Sequence, residues 1–125
     1  MNVMLIEGAN LRERARALGG QSRSYCEPYA LVAFHDGPVG VDIERVVECD
    51  ARFAASIVTP DETVPETDAE IISLWSAKEA LAKALGDAVD YDPRRLRALS
   101  EGVTGAWHAE PLPLPDGFTG WVCWR

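Results

Sequence analysis

A chain of 125 residues, 47% of them hydrophobic, can bury a core without disulfide or metal staples and fits a single domain, 1–125. Its formal charge of -8 argues against nucleic acid as a main partner, because neutralising phosphates takes clustered Lys and Arg. Cys26, Cys49 and Cys123 form no C-x-x-C pair, which suits reduced cytoplasmic thiols better than a disulfide or zinc framework; no apolar run reaches the ~20 residues of a membrane span, and Met1 to Gly8 is too short and acidic for a secretory signal.

In chain order, "VMLI" predicts a short first strand, and "NLRERARALGG" a helix with Asn10 as cap and Gly19-Gly20 as stop. "YALVAF", "HDGP" and "VGVDIE" predict a hairpin, since Asp36-Gly37 is a turn signal between two β-prone runs. "CDARFAASIV" predicts a helix capped by Asp50, and "TPDETVPET" a turn-rich connection. The strongest pattern comes next. Thr67 and Glu70 make a T-x-x-E capping box, and Ile71, Leu74, Trp75, Lys78, Leu81, Ala82 and Leu85 recur at helical spacing up to Gly86. "DPRRLRAL" predicts an exposed basic segment, and "GAWHAE" and "TGWVCWR" two closing strands around "PLPLPDG". The sum is an α+β domain with helices packed on a small, mainly antiparallel sheet.

Charge is distributed unevenly. Arg12, Arg14, Arg16 and Arg23 stand against Glu13 alone between Asn10 and Arg23, so that segment favours an anionic ligand or partner, whereas Glu48 to Glu70 is strongly acidic. The run Arg12 to Arg16 fits either contact with an acidic partner helix or a plain solvated face.

The chemistry-bearing residues cluster in two places. On the strand "VGVDIE", Asp42 and Glu44 are two positions apart, so both carboxylates point one way with Cα atoms roughly 6.5 Å apart, and Gly40 on that face leaves room where a side chain would stand. On the helix, Glu79 lies one turn after Trp75 and one turn before Lys83. If helix and strand meet, three carboxylates and a lysine surround one small volume, and oxygen donors without sulfur or imidazole suit Mg²⁺. Taken singly, each half also reads as a solvated strand face or a surface i,i+4 pair.

Together the two segments resemble the paired signatures of the 4'-phosphopantetheinyl transferase superfamily. Gly40-Val41-Asp42-Ile43-Glu44 matches G-[VI]-D-x-E, and Trp75, Ser76, Lys78, Glu79, Ala80 and Lys83 match every defined position of [FW]-[ST]-x-K-E-[AS]-x-x-K. The second acid, Glu44, makes the chain more similar to the surfactin-synthetase-activating type than to the holo-acyl-carrier-protein synthases, although it has little more than the second of that type's two halves. The resemblance implies transfer of the phosphopantetheine arm of coenzyme A to a serine of an acyl or peptidyl carrier protein, releasing 3',5'-ADP. It further implies that Asp42, Glu44 and Glu79 hold Mg²⁺, that Lys83 contacts the diphosphate and Lys78 the coenzyme, and that Glu79 serves as general base. The surfactin type carries S-x-S-H before its "ALVA" strand, with the histidine on coenzyme A phosphates. Here the run is Ser22-Arg23-Ser24-Tyr25, so Arg23 or the Tyr25 hydroxyl would make that contact. Half length implies self-association as a trimer or dimer, with Trp107, Trp121 and Trp124 either at the interface or in the core. The alternatives are a catalytically silent module that binds a carrier protein or partner subunit, and another Mg²⁺-dependent enzyme acting on a nucleotide diphosphate.

Overall fold

The computed structural model describes all of residues 1–125. Its elements are β1 (Asn2–Glu7), α1 (Leu11–Leu18), β2 (Ser22–Cys26), β3 (Tyr29–Phe34), β4 (Val39–Arg45), α2 (Ala51–Ser56), α3 (Asp68–Ala84), β5 (Gly102–Thr104), β6 (Trp107–Pro111) and β7 (Phe118–Trp124). They form an α+β fold of two antiparallel sheets, one ordered β1-β3-β2 and the other β4-β7-β6-β5. No helix is long and apolar enough to cross a membrane.

The expected hairpin of "YALVAF" and "VGVDIE" is not formed. Both edges of β3 are taken, by β1 and β2, and β4 instead pairs with β7 in the second sheet. The Asp36-Gly37 bend is therefore a corner between layers. Leu31 and Ala33 of β3 pack face to face with Val39, Val41 and Ile43 of β4 and Val122 of β7. The opposite face of β3, Ala30 and Val32, is equally buried, and α1 lies against this strand. Two strands that are apolar on facing sides can bury those sides against each other, and a sequence pattern does not distinguish that from pairing edge to edge.

Local chemistry explains the helix ends. The Thr67 hydroxyl accepts from the Glu70 amide (3.2 Å) while the Glu70 carboxylate accepts from the Thr67 amide (3.3 Å), so both halves of the capping box that opens α3 are present. Gly86, at φ 78°, lets the Asp87 amide turn back to the Ala82 carbonyl and closes the helix. Asp50 caps α2 through the Phe53 amide (2.8 Å). Asn10 precedes α1 in a left-handed backbone conformation and makes no side-chain cap, contrary to its expected role. In the basic segment, Arg94, Arg95 and Arg97 are exposed as expected, but Leu96 and Leu99 tuck against Ala80, Leu81, Ala109 and Cys123.

The long helix α3 lies across β4 and β7 on the far side of the second sheet, giving the order α1, first sheet, second sheet, α3. Gly40 allows this approach. A Cβ there would stand 1.9 Å from the Ala80 carbonyl oxygen and 2.6 Å from the Ala84 nitrogen. The room beside the acids is therefore filled by helix backbone, not left open for a ligand.

Candidate active site

Close crossing at Gly40 brings the strand acids and the helix charges to one face. Asp42 is buried, with 5% of its surface exposed, and Glu44 and Glu79 are half-buried. The Lys83 ammonium donates to the carbonyls of Val41 (2.9 Å) and Arg23 (3.2 Å) and lies 3.6 Å from Asp42 Oδ1. Ser24 Oγ donates to the same Oδ1 (3.4 Å), the Trp75 indole donates to Glu44 (3.0 Å), and the Tyr91 hydroxyl donates to Glu79 (2.7 Å).

The seam between the two sheets runs through this site. The outward edge of β4 has no strand partner, so the amides of Val41 and Ile43 donate instead to the hydroxyls of Ser22 (3.1 Å) and Ser24 (3.0 Å) on β2. Lys83 bridges the carbonyls of Val41 and Arg23 across the same seam. The two serines of the S-x-S run thus satisfy buried backbone that would otherwise be unpaired.

Burial works against the charged form of the two strand acids. Burial, reinforced by the Glu44 charge, pushes the Asp42 carboxyl up to about 7 despite the opposing pull of Lys83. Burial also raises Glu44, against its indole hydrogen bond and together with the Glu79 charge. Tyr91 is raised by burial and by its bond to Glu79, which keeps the phenol a proton donor. The second oxygen of Asp42, Oδ2, is buried without any hydrogen-bond partner. As they stand the carboxylates do not close into a three-ligand metal group. Like charges on one face repel, and each has turned to a protein donor. An all-oxygen set with one orphaned buried oxygen nevertheless fits a hard divalent cation better than any softer ligand.

Beside Lys83 opens a cleft of about 710 Å³ lined by Arg12, Arg16, Arg23, Tyr25 and Lys83 and also by Asp87 and Asp90. The Arg12 guanidinium lies 4.2 Å above the Tyr25 ring. Arg12 and Arg16, in the segment expected to favour an anionic ligand or partner or else to form a solvated face, line the same cavity as Arg23 and Lys83. Arg14 does not; it is held by the carbonyls of Glu7 and Ala9 (2.8 and 3.0 Å).

Lys78 departs from its expected contact with coenzyme A. It is fully buried, and its ammonium is bound by Glu62 and by the Pro93 carbonyl (2.8 Å). Glu62 also accepts from the amides of Thr59 (2.8 Å) and Ala98 (2.9 Å), so this pair pins two loops to α3. A ligand cannot reach it. Ser24 and Tyr91, which contact Asp42 and Glu79, were not marked as neighbours of the acids by the sequence. The alternation Ser-x-Ser on a strand was a usable signal for Ser24, whereas nothing local marks Tyr91 in its irregular segment.

Comparison with known proteins agrees with the geometry. The family model of the 4'-phosphopantetheinyl transferase superfamily matches residues 38–111, from the start of β4 to the end of β6. The 4'-phosphopantetheinyl transferase psf-1 of Bacillus pumilus is 31% identical over 75 residues, covering 54% of this chain and 32% of that protein. The chain therefore spans about a third of the length of the curated relative it matches. A strand bearing Gly40, Asp42 and Glu44, locked by close approach to a helix bearing Glu79 and Lys83, lies within the matched span, and this chain belongs to the 4'-phosphopantetheinyl transferase superfamily.

Proposed function

We propose that the chain transfers the 4'-phosphopantetheine arm of coenzyme A to a serine of an acyl or peptidyl carrier protein, releasing 3',5'-ADP, with Mg²⁺ as cofactor. The supporting observation is the convergence of Asp42, Glu44, Glu79 and Lys83 on one face beside a cleft with three arginines. In this reading Arg12, Arg16 and Arg23, with the Tyr25 hydroxyl, bind the coenzyme's phosphates, and Lys83 exchanges its long contact with Asp42 for a diphosphate oxygen.

Asp42, Glu44 and Glu79 would hold the cation, which when bound neutralises charge on the diphosphate. The carrier serine oxygen forms a bond to the phosphorus that bears pantetheine, the bond from that phosphorus to the bridging oxygen breaks, and 3',5'-ADP leaves. Glu79, directly or through a water it orients, accepts the serine proton. Lys83 stabilises the charge that develops on the leaving oxygen. The chain associates with further copies of itself as a dimer or trimer.

Incubation with coenzyme A, Mg²⁺ and several apo carrier proteins, followed by mass spectrometry of the carriers, is expected to detect the added arm. Glu79→Gln is expected to abolish the gain. No mass gain on any carrier from the wild-type chain, with carriers retained on it in a pull-down, would favour the silent binding module, a reading supported by Tyr25 at the histidine position.

A further inference from the structure

Each of the three acids is held through a single oxygen. Asp42 Oδ1 accepts from Ser24 and faces the Lys83 ammonium at 3.6 Å, Glu44 Oε1 accepts from the Trp75 indole, and Glu79 Oε1 accepts from the Tyr91 hydroxyl, while Asp42 Oδ2 is left without a partner. Ser24, Trp75 and Lys83 are rooted in regular elements next to the acids. Tyr91 is not, and comes from the irregular stretch after α3, twelve residues beyond Glu79.

We propose that Tyr91 is a positioning residue for Glu79, whose hydroxyl fixes the Oε1 side of the carboxylate so that its other oxygen faces a divalent cation shared with Asp42 and Glu44. The inference rests on the metal-dependent reading above and goes beyond it, because Tyr91 lies outside both signatures.

The hydroxyl is delivered from a braced point. Its ring lies 6.5 Å from that of Trp75, tilted by 31°, and the Tyr91 amide donates to the Asp87 carbonyl (3.2 Å). Two residues further on the Pro93 carbonyl is held by buried Lys78, and seven residues further on the Ala98 amide is held by Glu62. The phenol therefore cannot swing freely. Its neutrality matters as well. An ammonium or guanidinium at this point would cancel the carboxylate charge that attracts a cation, whereas a hydroxyl orients the group and leaves the charge in place. A glutamate has three side-chain torsions to freeze, so an external donor supplies order that its own helix does not.

Tyr91→Phe keeps the ring against Trp75 and removes only the donor. Titration of the wild-type and variant chains with Mn²⁺, followed by electron paramagnetic resonance of the free ion, is expected to find affinity lowered by about 10-fold in Tyr91→Phe at an unchanged melting temperature. In carrier modification kcat is expected to fall while KM for coenzyme A holds. In a Glu79→Gln background, Tyr91→Phe should lower Mn²⁺ affinity no further. Unchanged Mn²⁺ affinity in Tyr91→Phe, whether or not its melting temperature drops, overturns the inference and leaves the transfer reading standing. A full further loss in the Glu79→Gln background also overturns it, because Tyr91 would then act through another group. A wild-type chain that takes up no Mn²⁺ removes the metal centre itself.

Discussion

Lys78 and Lys83 lie five residues apart on α3, which sets them about 140° apart around the helix. That angle decides their roles. Lys83, one turn beyond Glu79, reaches the seam between the sheets and lies 3.6 Å from Asp42, whereas Lys78 is driven into the interior, where only Glu62 and a carbonyl meet it. A buried ammonium that loses its carboxylate, or the reverse, leaves an uncompensated charge. Lys78→Met is therefore expected to cost about 3–5 kcal/mol in urea denaturation at neutral pH. The same pair sets an acid limit. Burial pushes the Glu62 carboxyl up, but the Lys78 ammonium and the Thr59 and Ala98 amides outweigh it and hold the group below its ordinary value. A depressed folded value means that the stabilisation is fully present above the unfolded value near ~4.3 and is lost as pH falls through the folded one. The stability gap between wild type and Lys78→Met is expected to narrow below that range. A gap independent of pH would show that Glu62 does not depend on Lys78.

Between β4 and α3 the decisive contact is backbone to backbone. Gly40 is required because the Ala80 carbonyl occupies the volume of its missing Cβ, and Gly120 on β7 is similarly confined, since a Cβ there would stand 2.5 Å from the Asp42 carbonyl oxygen. Gly40→Ala must lift the helix from the strand and carry Glu79 and Lys83 away from Asp42. The expected cost is on the order of 3 kcal/mol, a drop of roughly 10 °C in Tm by circular dichroism, together with lost carrier modification. A variant with wild-type Tm would mean that the two elements have slack at this crossing. The glycine of the first signature is thus explained by helix packing, and its two acids by the charge they present beside it.

Across the molecule, four layers leave some apolar surface uncovered. Trp107 and Trp121 pack beside Ala80 and Leu81, and Trp124 joins the inter-sheet core and stacks on His108 at 4.8 Å, so these tryptophans serve the fold more than an interface. The free edge of β1 is different. Met4 and Leu5 there are 44% and 40% exposed, on a strand paired only with β3. Self-association through this edge is expected to give a sedimentation mass that is a multiple of 13.7 kDa, and Leu5→Lys is expected to reduce it. A wild-type chain sedimenting at 13.7 kDa throughout the accessible concentration range would remove the proposal.

What the sequence determined by itself was local or periodic. The capping box of α3, its stop at Gly86, the Asp50 cap, and the sharing of one strand face by Asp42 and Glu44 depend on residues within a few positions of one another, where backbone geometry leaves few choices. The two signatures were legible for the same reason, each being confined to one element. Tertiary structure decided what depends on contacts between distant segments. It decided that β3 and β4 stack rather than pair, that β2 meets β4 through serine hydroxyls, that Arg12 and Arg16 share the cleft with Lys83, that Lys78 turns inward, and that Tyr91 reaches Glu79. Stacking and pairing bury the same apolar residues, and only the competition among all strands for edges and faces selects between them.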